Sequence, residues 1–168
     1  TCPLFDAEYV FLQIRSKSVG ETISVNITCP DDEKTIVSKE IPISEIKVSV
    51  FDDHSNEVNV TDDIKMTFDY PLLSSYATYN NASTTEMAFT IINDCLKTIS
   101  WEDTTYNKAD ISDKELTDFI DNLNTEQFQN VMKFFETMPK IRYVAEIENP
   151  NTKVKSEVPI EGLRSFLV

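Results

Sequence analysis

The sequence predicts an α+β fold: an N-terminal helix, small antiparallel β hairpins, a helical hairpin, and a C-terminal β-hairpin closed by a short helix. Three observations carry this expectation. Apolar residues recur at helical spacing over Leu4 to Val19 and again across the second half of the chain. Between Glu21 and Tyr70 the spacing changes to two, the period of half-buried strands. The last quarter, Asn124 to Val168, reads in one pass as an amphipathic helix, a proline stop, a tight hairpin and a closing helix. The 168 residues fit one domain and can bury a core without disulfides or metal. The expected organisation is a helix and β-rich part over 1–70, a loop or linker over 71–84, and a helical part with the terminal hairpin over 85–168, as one compact unit or two tightly associated subdomains. Thr1 is not an initiator Met, so a native N-terminal segment is expected ahead of it.

Taking the elements in order, Leu4 to Val19 is a helix that stops at Gly20, a good residue just past a helix end. Its polar strip is narrow, with Asp6, Gln13, Ser16 and Lys17, so burial around most of its circumference is expected. Glu8 and Arg15 fall within the apolar sector. Their stems pack while their heads reach solvent or each other; alternatively Arg15 pairs with an acid elsewhere or on a partner, which makes Arg15 a partner-binding candidate. Ile23, Val25 and Ile27 alternate, the run from Cys29 to Lys34 turns, and Ile36 with Val37 returns the chain. Ile46, Val48 and Val50 form another strand, and Val58–Val60 pairs with Met66–Phe68 across Thr61-Asp62-Asp63.

Leu72 to Asn81 reads as a loop. A capping box at Ser83–Glu86 then opens a helix with Ala88, Ile91, Ile92, Cys95 and Ile99 on one face, which makes Cys95 a core residue. Trp101 to Ala109 reads as a loop with Trp101 or Tyr106 covering the core. Ser112 with Glu115 and Asn124 with Gln127 cap two further helices, joined as an αα-hairpin. On the last of these, Phe128, Val131, Met132, Phe135 and Met138 form the core face, and Phe134 sits at its margin as an expected partner anchor. Pro139 ends the helix. Two alternating strands follow around Asn149–Thr152, and Pro159 marks the second as an edge. The stretch Val154 to Val158 is thus open to an added strand, and Phe166 with Leu167 forms a terminal apolar patch.

The chain carries 29 acidic against 15 basic residues, a net charge of −14. Phosphate backbones and anionic membrane surfaces are poor partners for such a chain, since both are held by clustered Lys and Arg. No apolar run approaches the ~20 residues of a membrane-spanning helix. Cys2, Cys29 and Cys95 are odd in number and widely spaced, which fits a reducing compartment. Against that stand three N-x-[ST] triplets at Asn26, Asn59 and Asn81, and with them the alternative reading of a secreted, glycosylated binding or adhesion domain.

No catalytic, cofactor or metal residues are expected. Cys29-Pro30-Asp31-Asp32 resembles half a zinc knuckle but has Asp32 where a second thiolate belongs. Asp31-Asp32, Asp52-Asp53 and Asp62-Asp63 read as solvated turns, because adjacent strand residues face opposite ways. A metal-dependent hydrolase built on these pairs is the third reading. His54, the one histidine, has no nucleophile partner legible in the sequence.

Two segments resemble one family. FDAEYVFLQIRSKSVGE (Phe5 to Glu21) is similar to the FxxEYxFLxxRxKSVGE signature of the baseplate hub proteins of T-even-type contractile-tailed phages. FFETMPKIRY (Phe134 to Tyr143), with NPNTK (Asn149 to Lys153) and EGLRSF (Glu161 to Phe166), resembles the end of the same family, so the likeness spans nearly the whole chain. Members often carry a Cys-Pro-x-Cys knuckle, from which Cys29-Pro30-Asp31-Asp32 departs. The resemblance implies a non-enzymatic tail component made in the host bacterial cytoplasm. It would be either a hub subunit of the virion tail baseplate or a factor in hub assembly, binding other baseplate hub proteins and the tape-measure protein. In that setting the glycosylation triplets are idle. The expected binding surface comprises Arg15, Phe134, Val154, Val158, Phe166 and Leu167, with acidic charge steering basic partners.

Overall fold

The computed structural model describes residues 2–75 and 84–167, and for residues 84–86 the backbone alone. It is an α+β mixture in which helices cover small antiparallel sheets. The chain divides into two compact units, each discontinuous in sequence: one takes Thr1–Leu4 with Val50–Met138, the other Phe5–Ser49 with Pro139–Val168. The stretch 71–84, expected as a loop or linker, falls within the sequence range of the first of these, and its residues 76–83 lie outside the described ones.

In the second unit, α1 (Leu4–Ser18) ends before Gly20, whose φ of +140° is a conformation that side chains disfavour. β1 (Thr22–Thr28) and β2 (Ile36–Pro42) then form the expected hairpin, with Val25 opposite Lys39. Ile23, Val25 and Ile27 are buried while the residues between them are exposed, as period-two spacing requires. A 3-10 turn (Ile43–Glu45) leads into β3 (Lys47–Ser49), which pairs with β8 (Lys140–Glu148). β9 (Lys155–Glu161) completes the order β3-β8-β9 and lies at the sheet edge. That is where Pro159, which has no N–H to give a neighbour, belongs. Arg142 stands opposite Glu161 and pairs with it at 3.2 Å, and Lys140 reaches the same carboxylate at 3.1 Å. A last 3-10 turn (Leu163–Phe166) drives Phe166 into a core shared with Leu12, Ile23, Val25, Ile41, Ile141 and Ile160.

In the first unit β4 (Glu57–Asn59), β5 (Ile64–Phe68), β6 (Leu96–Trp101) and β7 (Thr104–Asn107) form an antiparallel sheet in that order. The β4–β5 pair matches the sequence reading, with Val58 opposite Met66. α2 (Thr84–Cys95) turns directly into β6, so Ile99 is buried from a strand and not from the helical face expected for it. The capping residue expected at Ser83 lies outside the described residues. The stretch read as a loop from Trp101 to Ala109 contains β7 instead. Its Thr-Thr-Tyr run has side chains that suit a pleated surface, and Glu102 at φ 50° closes the tight turn.

α3 (Asp113–Asp121) and α4 (Thr125–Thr137) begin with complete capping boxes, Ser112 with Glu115 and Asn124 with Gln127. They pack Leu116, Ile120, Val131 and Phe135 into the core. Phe134 is there too. It is 1 % exposed, stacked on Phe68 at 5.1 Å and Tyr70 at 5.8 Å, with Phe135 edge-on at 5.0 Å. The expectation of a surface anchor is therefore overturned. A helix lying over a strand that offers Phe68, with Tyr70 two residues beyond its end, buries a wider arc than a five-residue stripe, and an aromatic ring at the margin gains most from being inside. Phe134→Ala should cost about 3–5 kcal/mol in urea unfolding monitored by circular dichroism, the range for a large core truncation; an exposed residue would cost within about 0.5 kcal/mol.

Candidate functional site

Among the described residues no three His, Cys, Asp or Glu side chains converge as a metal site would require. Asp31, Asp32 and Asp53 have other employment. Asp53 pairs with Lys133 at 3.3 Å across exposed surface. Thr61, beside Asp62 and Asp63, closes the β4–β5 turn by accepting from the Ile64 amide at 3.0 Å. Asp31 and Asp32 belong to a polar clasp between the two hairpin tips of the second unit.

In that clasp Asp32 accepts from the amides of Lys34 and Thr35 at 3.1 and 2.9 Å and from the Thr35 hydroxyl at 2.5 Å. These donors, Thr35 foremost, hold its carboxyl far below the ordinary carboxylate range. Across from it Asn149, 0 % exposed, accepts from the Asn151 amide at 2.9 Å and donates to both oxygens of Asp31 at 3.1 and 3.0 Å. Thr152 donates its hydroxyl to Asp31, and the Asn151 side-chain amide donates to Thr35 at 3.0 Å. Cys29 lies buried at the base of the turn, its thiol pushed up in pKa by burial and then by the two aspartates. The knuckle is closed by hydrogen bonds whose carboxylates already have N–H and O–H donors, an arrangement that does not fit a tetrahedral thiolate site.

His54 is equally committed. Its Nδ1 lies 3.0 Å from the Thr137 hydroxyl and its Nε2 3.1 Å from the Tyr70 hydroxyl, with the ring 5.2 Å from Phe134. Thr137 gives its own proton to the Lys133 carbonyl at 2.7 Å, so its oxygen accepts from Nδ1–H. Burial lowers the His54 pKa, partly opposed by Asp53.

The accessible apolar surface lies elsewhere, on α1. Only Glu8 and Leu12 are buried there, while Val10 is 54 %, Phe11 47 %, Ile14 61 % and Tyr9 36 % exposed. The helix expected to be buried on most sides is thus fully buried at Glu8 and Leu12 alone, with Phe5, Ala7, Gln13 and Arg15 partly covered beside them. Glu8 accepts from the Leu163 amide at 3.2 Å. Burial raises its pKa, and that hydrogen bond opposes the rise.

Of the anticipated binding residues, Arg15 is half-buried and makes no ion pair among the described residues. Val154 is 44 % exposed just before β9, Val158 packs partly against the second core, and Leu167 is 44 % exposed. Phe166 is 0 % exposed, a correction like that of Phe134: its 3-10 turn packs against β1 and β9 instead of ending in solvent. Phe134 belongs to the first unit and the other five to the second. What the sequence reading missed is Val10, Phe11 and Ile14, whose i, i+1, i+4 spacing signalled an apolar face but not which face would lack a cover. Asn26 and Asn59 are exposed, and Asn81 lies outside the described residues.

Two outcomes check this account. Asn149→Ala should remove about 1–3 kcal/mol of stability in urea unfolding, since it strips the Asp31 carboxylate of its amide donor. For His54 the folded pKa lies below 6.5, so the unfolded chain takes up the proton first. Its contribution is intact above about pH 6.5 and declines as pH falls through that value, and His54→Gln should flatten that part of the stability–pH curve.

Neither the curated proteins nor the solved structures compared with the chain include a match. A family model does match, that of the T4 bacteriophage base plate protein, over residues 1–168. The match covers the helix with the exposed face, the clasp and both cores, and it agrees with the resemblance carried by the residues from Phe5 to Glu21 and from Phe134 to Phe166. The chain belongs to the T4 bacteriophage base plate protein family.

Proposed function

We propose that this base plate protein acts at the baseplate hub, as a hub subunit or as a factor that assembles the hub, by binding other tail proteins and not by catalysis. One observation carries the reading: the outer face of α1 leaves Val10, Phe11 and Ile14 each about half exposed or more on successive turns, with Tyr9 beside them. Water-exposed apolar side chains on a well-formed helix cost solubility and return nothing until a partner covers them. The same helix contains the FxxEYxFLxxRxKSVGE stretch through which the chain resembles hub proteins. The partner is another protein of the same baseplate, with the tape-measure protein as a further candidate. The association takes place in the host cytoplasm as the tail is built.

Catalysis is disfavoured by the state of the reactive groups. Both nitrogens of His54 face hydroxyl partners, Cys29 and Cys95 are buried, and Asp31 and Asp32 are spent in the clasp. A helix face is well suited to docking in a groove, with anchors at i, i+1 and i+4. The acidic balance of the chain adds to the on-rate toward a basic partner more than to affinity.

The test is Val10→Asp with Ile14→Asp, coexpressed with the other baseplate proteins of the same phage. Both positions are exposed, so stability should stay within about 0.5 kcal/mol of the parent chain, while co-purification of tail proteins is lost. Undiminished co-purification by a folded double variant would refute the assignment. Mass spectrometry of mature particles beside assembly intermediates then separates the two roles, since a subunit is present in both and an assembly factor in the intermediates alone.

A further inference from the structure

The sheet of the first unit has a core face that runs out from under its helices. Ile64 stands opposite Trp101, Met66 opposite Ile99, and Ile99 opposite Tyr106, so these side chains share one face. At its inner end that face is sealed, with Met66 0 % and Ile99 9 % exposed. At its outer end it is open: Trp101 is 56 % and Tyr106 44 % exposed. Ile111, Leu116 and Phe119, on α3 and the segment before it, form the facing wall of a groove of about 330 Å³.

Two further features say what the groove would take. The charged residues in its lining are Asp110 and Glu115, and no Lys, Arg or His joins them. Glu115 is held ionised by the Ser112 hydroxyl and amide at 2.6 and 2.9 Å, and the nearby Lys108 is paired with Asp113 at 3.1 Å. Alongside the groove runs β7, an edge strand in the order β4-β5-β6-β7, with all four of its residues exposed. Thr104 is opposite Trp101, so Thr104 and Tyr106 point to the groove side of the sheet. A strand added along β7 would direct alternate side chains into the groove.

We propose that this groove and the β7 edge bind an extended segment of another protein, with two apolar side chains at i and i+2 and Lys or Arg flanking them. The apolar pair enters between Trp101, Tyr106 and the α3 wall, and the basic residues meet Asp110 and Glu115. Trp and Tyr are the residue types in which binding energy concentrates, and here they stand beside unpaired strand hydrogen-bonding groups. The site is in a different unit from the α1 face and does not depend on it. Either could fail with the other intact.

Trp101 is the single tryptophan of the chain, so its emission reports on the groove without a label. The probes are three capped nonapeptides in the one-letter code: KSKVTIKSK, its acidic counterpart ESEVTIESE, and the polar KSKSTSKSK. The expected result is a saturable blue shift of Trp101 emission with the first alone. Asp110→Lys, with the helical circular dichroism signal retained, should weaken that binding by about tenfold. Equal shifts with the acidic peptide, or no shift with any peptide up to its solubility limit, would overturn the proposal. So would unchanged affinity in Asp110→Lys. Concentration-dependent self-association without peptide, accompanied by the same blue shift, would also overturn it by giving the groove to a second copy. The same titration on the Val10→Asp, Ile14→Asp double variant should be unaltered, which keeps failure here distinct from failure at α1.

Discussion

The stacking of Phe134 on Phe68 and Tyr70 sets what the rest of the first unit can do. Through it α4 lies on the sheet, and His54 is pressed against the same ring with both nitrogens hydrogen-bonded. Once this aromatic cluster closes one end of the core, α3 is left to cover the other. Nine helical residues cannot reach the end of the β6–β7 hairpin, so Trp101 and Tyr106 stay in solvent. The interior contacts and the exposed aromatics are two results of one packing arrangement.

The second unit meets a similar limit with different means. Its core is built from β1, β2, β8 and β9 with Leu12 of α1 and Phe166 of the closing turn. The hairpin tips are joined by Asp31, Asn149 and Thr152, a set of hydrogen bonds in which each carboxylate has its donors. α1 lends this unit the buried side chains of Glu8 and Leu12 and leaves Tyr9, Val10, Phe11 and Ile14 exposed. A chain with 29 acidic residues can keep such a face in water because its charge opposes association with copies of itself, while a partner of complementary shape and charge gains from covering it.

Much of the fold was legible because local rules and tertiary packing agreed. Ile23, Val25 and Ile27 alternated and became β1, the Ser112 and Asn124 caps were where the capping boxes placed them, and Pro159 sat on an edge. The errors arose where local spacing is silent about what lies opposite. Ile99 follows Ile92 and Cys95 at helical intervals, yet Leu96 to Trp101 is a strand, because pairing with β5 and β7 outweighed a pattern that either structure could satisfy. Phe134 and Phe166 were assigned to the surface from their places at a margin and near a terminus, and both are buried because Phe68, Tyr70 and the β1 face were available to receive them. Val10, Phe11 and Ile14 were expected in a core because the polar strip of their helix is narrow. The sequence holds the amount of apolar surface, but its division between interior and partner depends on which sheet face each helix meets.

The proposed role rests on the outer face of α1 as the surface by which this base plate protein joins its assembly. The most direct measurement replaces Ile14 with a photo-crosslinking phenylalanine analogue in infected cells, with exposed Lys114 replaced in parallel. The account predicts a light-dependent adduct to another tail protein from position 14 and none from position 114. Adducts from position 114 with none from position 14 would contradict it.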